Sequence, residues 1–218
     1  MLARLSKVSN GNWIEPVVMQ GRVARLEPLV PEHAAELLAA ADAELFRFTP
    51  QAPAEWSVAG FEAEIRHVLS IPGVVPFAVR HIFTGRVAGR TTYMEINPQH
   101  RGVEIGRTWL ARSHHGTTVN PEIKYLMLRH AFEVLIPVAL RVQFTTDESN
   151  LHSRKAIEKL GAVREGVLRQ HRIVPTGPDP ASPKRVRNTV VYSVVADEWA
   201  RVKVGLEARI GWSENSAS

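Results

Sequence analysis

The sequence predicts one α/β domain built on a mixed sheet flanked by helices. Three features lead there. Strand patterns stand both before and after helical ones along the chain. Three strand candidates, Pro76–His81, Arg86–Ile96 and Val103–Leu110, follow one another across turns at Thr84-Gly85 and Asn97-Pro98, the pattern of an antiparallel meander. From Val103 to Leu160 the order is strand, loop, helix, strand, helix, which favours a locally parallel strand pair joined by a right-handed crossover.

Arg22–Pro28 alternates apolar and polar residues and reads as the first strand. Pro31 opens a helix whose Ala34, Leu37, Leu38 and Ala41 recur at helical spacing. Ser57 is placed to cap a second helix, with Val58, Phe61, Ile65, Val68 and Leu69 on one stripe and Pro72-Gly73 as its stop. The meander follows. After the polar stretch Ser113–Asn120 a helix starts near Pro121, with Glu122 at the positive end of its dipole. Its stripe is Ile123, Leu126, Met127, Ala131, Val134 and Leu135. Leu140–Thr146 alternates as a half-buried strand, and Asn150 sits where an N-cap belongs, before a short helix ending at Gly161. Strands near Val163–Ile173 and Asn188–Val195 flank the segment Val174–Val186, whose prolines predict a long, poorly ordered loop. Asp197 is placed to cap a last helix with Trp199, Val202, Leu206 and Ile210 on one face. The organisation expected is an N-terminal extension over residues 1–20, one domain over 21–211 and a loose tail over 212–218.

Composition excludes several classes. The 218 residues are 44% hydrophobic, enough for a substantial core. Cysteine is absent, which rules out disulfides and thiolate metal sites. The opening MLARLSKVSNGNWIEPVV has no continuous apolar run, which predicts no secretory signal. No apolar stretch approaches the roughly 18 residues of a membrane helix. A cytoplasmic protein without membrane association is expected. The net charge of +5 is scattered, and its densest run, Lys184, Arg185 and Arg187, reads as a solvated loop. Without a groove-reading element or stacking aromatics, no nucleic-acid partner is expected. His114 and His115 lack a third ligand at a useful spacing, so no metal is expected.

Two segments carry candidate chemistry. Ser113–Asn120 is a loop of small and polar residues entering a helix, where unsatisfied N–H groups suit a phosphate. The stretch from Asp147 to Arg154 places Asn150 and Ser153 three apart, on one face of a helix start. By themselves these motifs are equally compatible with an ordinary connection and an ordinary cap.

TTDESNLHSRKAIEKLGAVREGVLRQHRI (145–173) resembles the C-terminal half of GNAT acetyltransferases of the RimJ/RimL type. The shared positions are Asp147, Asn150, Ser153, Glu158-Lys159-Leu160-Gly161-Ala162, Glu165-Gly166 and Leu168-Arg169. GRVARLEPLVPEHAAEL (21–37), VEIGRTWL (103–110), NPEIKYLMLRHAFEVL (120–135) and VVYSVVADEW (190–199) resemble that family's opening, central, cofactor-loop and closing segments, in order.

The resemblance implies a GNAT-like fold, a mostly antiparallel sheet splayed near its middle, with acetyl-CoA lying between the 103–110 and 140–146 strands. Backbone near Leu110 and Ala111 would meet the pantetheine arm, and amides of His115, Gly116, Thr117, Thr118, Val119 and Asn120 the pyrophosphate. Two positions depart from the family pattern. Thr118 replaces a glycine in the phosphate loop, and Ile157 stands where many members carry a tyrosine acid. Ser153 is therefore the expected proton donor to the leaving thiolate, with Asn150 positioning the cofactor or a water. Glu104 is the expected general base. No covalent enzyme intermediate is required. The expected acceptor is a primary amine, a peptide or protein N-terminus in the first place and a small amine or antibiotic in the second. A non-catalytic acyl-CoA-binding protein is the alternative, and a homodimer is left open.

Overall fold

The structure is a computed structural model that describes residues 12–48, 52–176 and 182–212. The first eleven residues, the centre of the 174–186 segment and the last six residues lie outside this description. Most of the expected extension and tail therefore falls outside it too.

Eight strands form one sheet: β1 (Met19–Gln20), β2 (Ala24–Pro28), β3 (Val75–His81), β4 (Val87–Asn97), β5 (Gly102–Leu110), β6 (Arg141–Asp147), β7 (Val163–Pro175) and β8 (Lys184–Val195). Their spatial order is β1-β2-β3-β4-β5-β6-β8-β7. Neighbours are antiparallel except β5 and β6, which run parallel, as the crossover pattern predicted. Five helices complete the fold: α1 (Ala34–Ala40), α2 (Val58–Leu69), α3 (Val119–Arg129), α4 (Leu151–Glu158) and α5 (Trp199–Ile210). Helices α1 and α2 bury their stripes with Trp109 on one sheet face; α3 and α5 bury theirs with Val103, Ile105 and Phe144 on the other. No helix among the described residues is long and apolar enough to cross a membrane.

The local signals mostly decide the elements. Ser57 caps α2 by accepting from the Gly60 amide at 3.1 Å. Gly161, at φ +90°, ends the α4 turn. Gly89 lets β4 approach β5 closely, since a Cβ there would lie 2.1 Å from the Trp109 carbonyl oxygen.

Four expectations need correction. The long helix expected to run unbroken to Leu135 is α-helical over Val119–Arg129 and then takes a π turn over His130–Val134. The ends of the segment Val174–Val186 are strand rather than loop, because β7 and β8 pair out to Pro175 and Lys184 and the Thr176 amide donates to the Pro183 carbonyl at 2.8 Å, while residues 177–181 lie outside the described residues. Lys184, Arg185 and Arg187 are accordingly sheet residues, and Arg187 is 8% exposed. Asp197 is not the cap of α5. A 3-10 turn over Ala196–Glu198 precedes that helix, and the Glu198 carboxylate accepts from the Val195 amide at 3.1 Å.

Glu122 does more than meet a dipole. It is 1% exposed and accepts the backbone amides of Arg22, Val23 and Ala24 at 2.9, 2.8 and 2.7 Å, tying the β1–β2 turn to α3.

Candidate functional site

The parallel pairing of β5 with β6 covers Gly102↔Arg141, Val103↔Val142 and Glu104↔Gln143 and then stops. Beyond it β5 continues to Leu110 against β4 alone. The sheet thus parts on the C-terminal side of Glu104, where a strand edge with unpaired backbone can meet a ligand.

Glu104 stands at the vertex of that opening. Strand alternation puts it on the α2 side of the sheet, and it is 3% exposed. Both of its carboxylate oxygens are held from β6: Thr145 Oγ1 donates to Oε1 at 2.7 Å and Gln143 Nε2 to Oε2 at 3.0 Å. Gly106 leaves the carboxylate room, since a Cβ there would lie 3.3 Å from Glu104 Oε1 and 2.8 Å from Met94 Sδ. The alternation of 140–146 puts Gln143 and Thr145 on the polar side of their strand. That they hold Glu104 follows only from the parallel register.

The phosphate-loop candidate follows β5. The Leu110 carbonyl accepts from His115 Nε2 at 3.0 Å, and the Ala111 amide donates to the Ala88 carbonyl at 2.7 Å. Ala111's amide is therefore committed to β4, and the open edge is left to the backbone between Ile105 and Leu110. Gly116 takes the left-handed conformation at φ +76°, whereas Thr118 has φ −76°, which any side chain allows. Helix α3 starts at Val119, so Val119 and Asn120 belong to its first turn rather than to a loop that ends near Pro121. The amides of Gly116 and Thr118 have no hydrogen-bond partner among the described residues, while Val119 N donates to Thr117 Oγ1 at 3.3 Å. Unpartnered amides at the positive end of a helix fit a phosphate.

At the other candidate segment Asn150 is the N-cap of α4, accepting from the Ser153 amide at 3.0 Å. Ser153 is half-buried one turn into that helix. Asp147, 3% exposed, closes β6 just before it and accepts the Ser149 amide and hydroxyl at 2.9 and 2.6 Å, and it pairs with Arg185. Burial raises its pKa, but the Ser149 hydroxyl and Arg185 guanidinium outweigh burial and hold it below the ordinary carboxylate value. The two segments meet where His115 stacks on His152. Among the described residues, no group of three or more His, Asp or Glu is placed to hold a metal.

Two guanidinium groups that the sequence did not single out as a pair lie within electrostatic reach of Glu104, Arg107 from β5 and Arg187 from β8, and Arg172, paired with Arg187 across β7 and β8, acts on both. Burial and the neighbouring cations lower the pKa values of Arg107 and Arg187.

The acetyltransferase (GNAT) domain family matches residues 24–163. The fold is similar to that of a candidate acetyltransferase from T. thermophilus, with 43% identity, 91% of this chain and all (100%) of that one covered, and a TM-score of 0.81. A GCN5-related N-acetyltransferase from Brucella melitensis shares 28% identity over 95% of this chain and 90% of that one, with a TM-score of 0.82. Mycobacterium smegmatis RimJ, solved in complex with CoA-disulfide, shares the fold at 19% identity and a TM-score of 0.72, over 90% of this chain and 95% of that one. No functionally curated protein is significantly similar in sequence. An eight-stranded mixed sheet that parts beside a helix start, together with this domain match, means that the chain belongs to the GNAT acetyltransferase family.

Proposed function

We propose that this chain transfers the acetyl group of acetyl-CoA directly to a small primary amine bound at Glu104, on the α2 side of the sheet. The observation that carries the reading is the position of a buried, doubly hydrogen-bonded carboxylate at the vertex where β5 and β6 part. GNAT acetyltransferases use acetyl-CoA, and the residues present fit it: an open β5 edge for an amide-bearing chain, and the Gly116 and Thr118 amides for phosphate oxygens.

Each group then has a chemical task. The amine nitrogen attacks the thioester carbonyl carbon, forming a C–N bond as the C–S bond breaks. The amine's proton passes to Glu104, directly or through water, and the departing sulfur takes a proton from the Ser153 hydroxyl, which solvent restores. Backbone amides of the open β5 edge stabilise negative charge developing on the carbonyl oxygen.

A peptide N-terminus would need an open side for its chain. Glu104 is only 3% exposed, which supports the smaller acceptor. A cavity of about 290 Å³ beside the cleft, with Ile71, Pro72, Met94 and Arg107 among its walls, suits part of such a molecule. Glu104 is not one of those walls, so the cavity lies beside the reacting centre.

The test is incubation of the pure protein with acetyl-CoA and a panel of amines, following thiol release and the acetylated product by mass spectrometry. Acetylation of at least one small amine is expected. Tight CoA binding without transfer to any amine would leave the non-catalytic binding protein instead.

A further inference from the structure

We propose that Arg107 and Arg187 bind a carboxylate of the acceptor, so that the substrate is a small amine carrying its own carboxylate, chemically an amino acid. The inference rests on the acetyl-transfer reading and names its substrate class.

Several observations converge on it. Register places the groups on one face. Glu104 lies opposite Gln143, Gln143 opposite Ser193, and Asp147 opposite Thr189. Two residues along β8 from Thr189 is Arg187, whose cross-strand partner is Arg172. Like charges directly opposite one another on a sheet repel, so this pair is held against its own electrostatics.

Arg107 reaches the same face through a bulge. Arg90 pairs with Trp109 and Thr92 with Gly106, so Arg107 and Thr108 together oppose Thr91. Arg107 adopts φ +51°, a left-handed conformation that a side-chain-bearing residue holds at a cost. Bulges of this kind re-aim side chains.

The guanidinium groups are not satisfied by the protein. Arg107 Nε and Nη1 and Arg187 Nε are buried and have no hydrogen-bond partner among the described residues, and neither has Thr189 Oγ1. Arg187 is 8% exposed and Thr189 1%. The acids nearby are engaged in part. Glu64 pairs with Arg90 through Oε2 and keeps its buried Oε1 without a partner among the described residues, Asp147 pairs with Arg185, and Glu104 accepts from Gln143 and Thr145. Arg187 Nε stands 3.9 Å from Asp147 Oδ2, outside hydrogen-bond reach. Buried polar groups without partners are rare in native proteins, and a guanidinium presents donors in a fork that fits a carboxylate. A carboxylate bound there satisfies these donors and offsets the mutual repulsion of the arginines. In an α-amino acid the amine is attached one carbon away, which directs it toward Glu104.

The experiment compares standard amino acids with their own decarboxylated amines, such as leucine with isoamylamine and phenylalanine with phenethylamine, as acceptors for the wild-type enzyme. At least one amino acid should exceed its amine by about tenfold or more in kcat/KM, the worth of one lost charge-assisted contact. Arg187→Gln and Arg107→Gln should collapse that ratio toward one by raising the KM for the amino acid, with melting temperatures confirming that both variants fold. Equal or better turnover of the decarboxylated partners, or of an alanyl peptide amide, overturns the inference and leaves acetyl transfer standing. So does a rise in the KM for acetyl-CoA, without one for the amino acid, in the arginine variants. No transfer to any acceptor overturns both readings.

Discussion

His115 and His152 lie ring on ring, with centroids 5.6 Å apart and planes inclined by 28°. One residue belongs to the loop after β5 and the other to the first turn of α4. The contact therefore joins the two segments that hold the candidate phosphate amides and the candidate proton donor. The Nε2–H of His115 also bonds the Leu110 carbonyl, so its ring packs against the end of the open strand edge. Because aromatic pairs contribute about 0.5–1.5 kcal/mol beyond burial, a double-mutant cycle of His115→Ala and His152→Ala should show coupling within that range in unfolding measurements. Additive effects would mean that the stack is incidental.

The loop's backbone should matter more than its side chains. Thr118 has φ −76°, close to what proline imposes, and its amide has no partner among the described residues. Thr118→Pro should keep the fold and raise the KM for acetyl-CoA about tenfold or more by removing one donor and restricting Thr117. Thr117→Ala loses only a hydroxyl that bonds His114 O at 2.8 Å and Val119 N, so a change of a few-fold is expected. Equal small effects from both would argue against a phosphate cradle.

At α4 the two neighbours should separate cleanly. Asn150 caps the helix, so Asn150→Ala should lower stability by about 1 kcal/mol and Asn150→Asp should restore it. Ser153→Ala removes no capping contact, because Ser153 enters the cap through its backbone amide. It should lower kcat with little change in melting temperature or in the KM for acetyl-CoA. Full kcat in Ser153→Ala, where chemistry limits the rate, would leave water as the donor.

Glu104→Gln keeps the size and polarity of the side chain between Gln143 and Thr145 while removing the base. A fall in kcat/KM of about 10²-fold or more, with an unchanged melting temperature, is expected from general base catalysis. Retained activity would move the proton acceptor to solvent.

Lys124 gives a prediction about stability and pH. It is 6% exposed on α3, and its Nζ meets the hydroxyls of Thr91 and Thr108 at 3.2 and 2.6 Å rather than a carboxylate. Burial pushes its pKa down to about 7, against roughly 10.4 in an unfolded chain. Between those values the unfolded chain holds one more proton than the folded one, so this group makes stability rise with pH from about 7 to 10. Its penalty is complete below pH 7 and gone near pH 10. Lys124→Met should therefore stabilise the protein at pH 6, by on the order of 1–3 kcal/mol, and the gain should vanish near pH 10. Thr91 and Thr108 remain bonded to each other at 2.8 Å after the change. An equal effect at both pH values would show that Lys124 acts through packing and not through its charge.

Much of the fold was legible in local patterns. The strands at 76–81, 86–96, 103–110 and 140–146, the caps at Ser57 and Asn150, the stop at Gly161 and the parallel crossover all rest on periodicity, N-caps and glycine conformations, which act over a few residues. The same local chemistry drew attention to residues 113–120 and 147–154, and the motifs of 145–173 pointed to the family that the domain match shows. The two ends of the segment 174–186 escaped local reading because prolines suggest a loop, whereas the pairing of Pro175 with Lys184 is a property of two strands meeting. Only the tertiary structure decided what surrounds Glu104. Gln143 and Thr145 reach it through register, Arg107 through a bulge, and Arg187 through burial of a strand that looked solvated. Periodicity tells which face of its own element a side chain takes. Which charges from other strands share that face depends on pairing between residues far apart in sequence, and that is set when the sheet assembles.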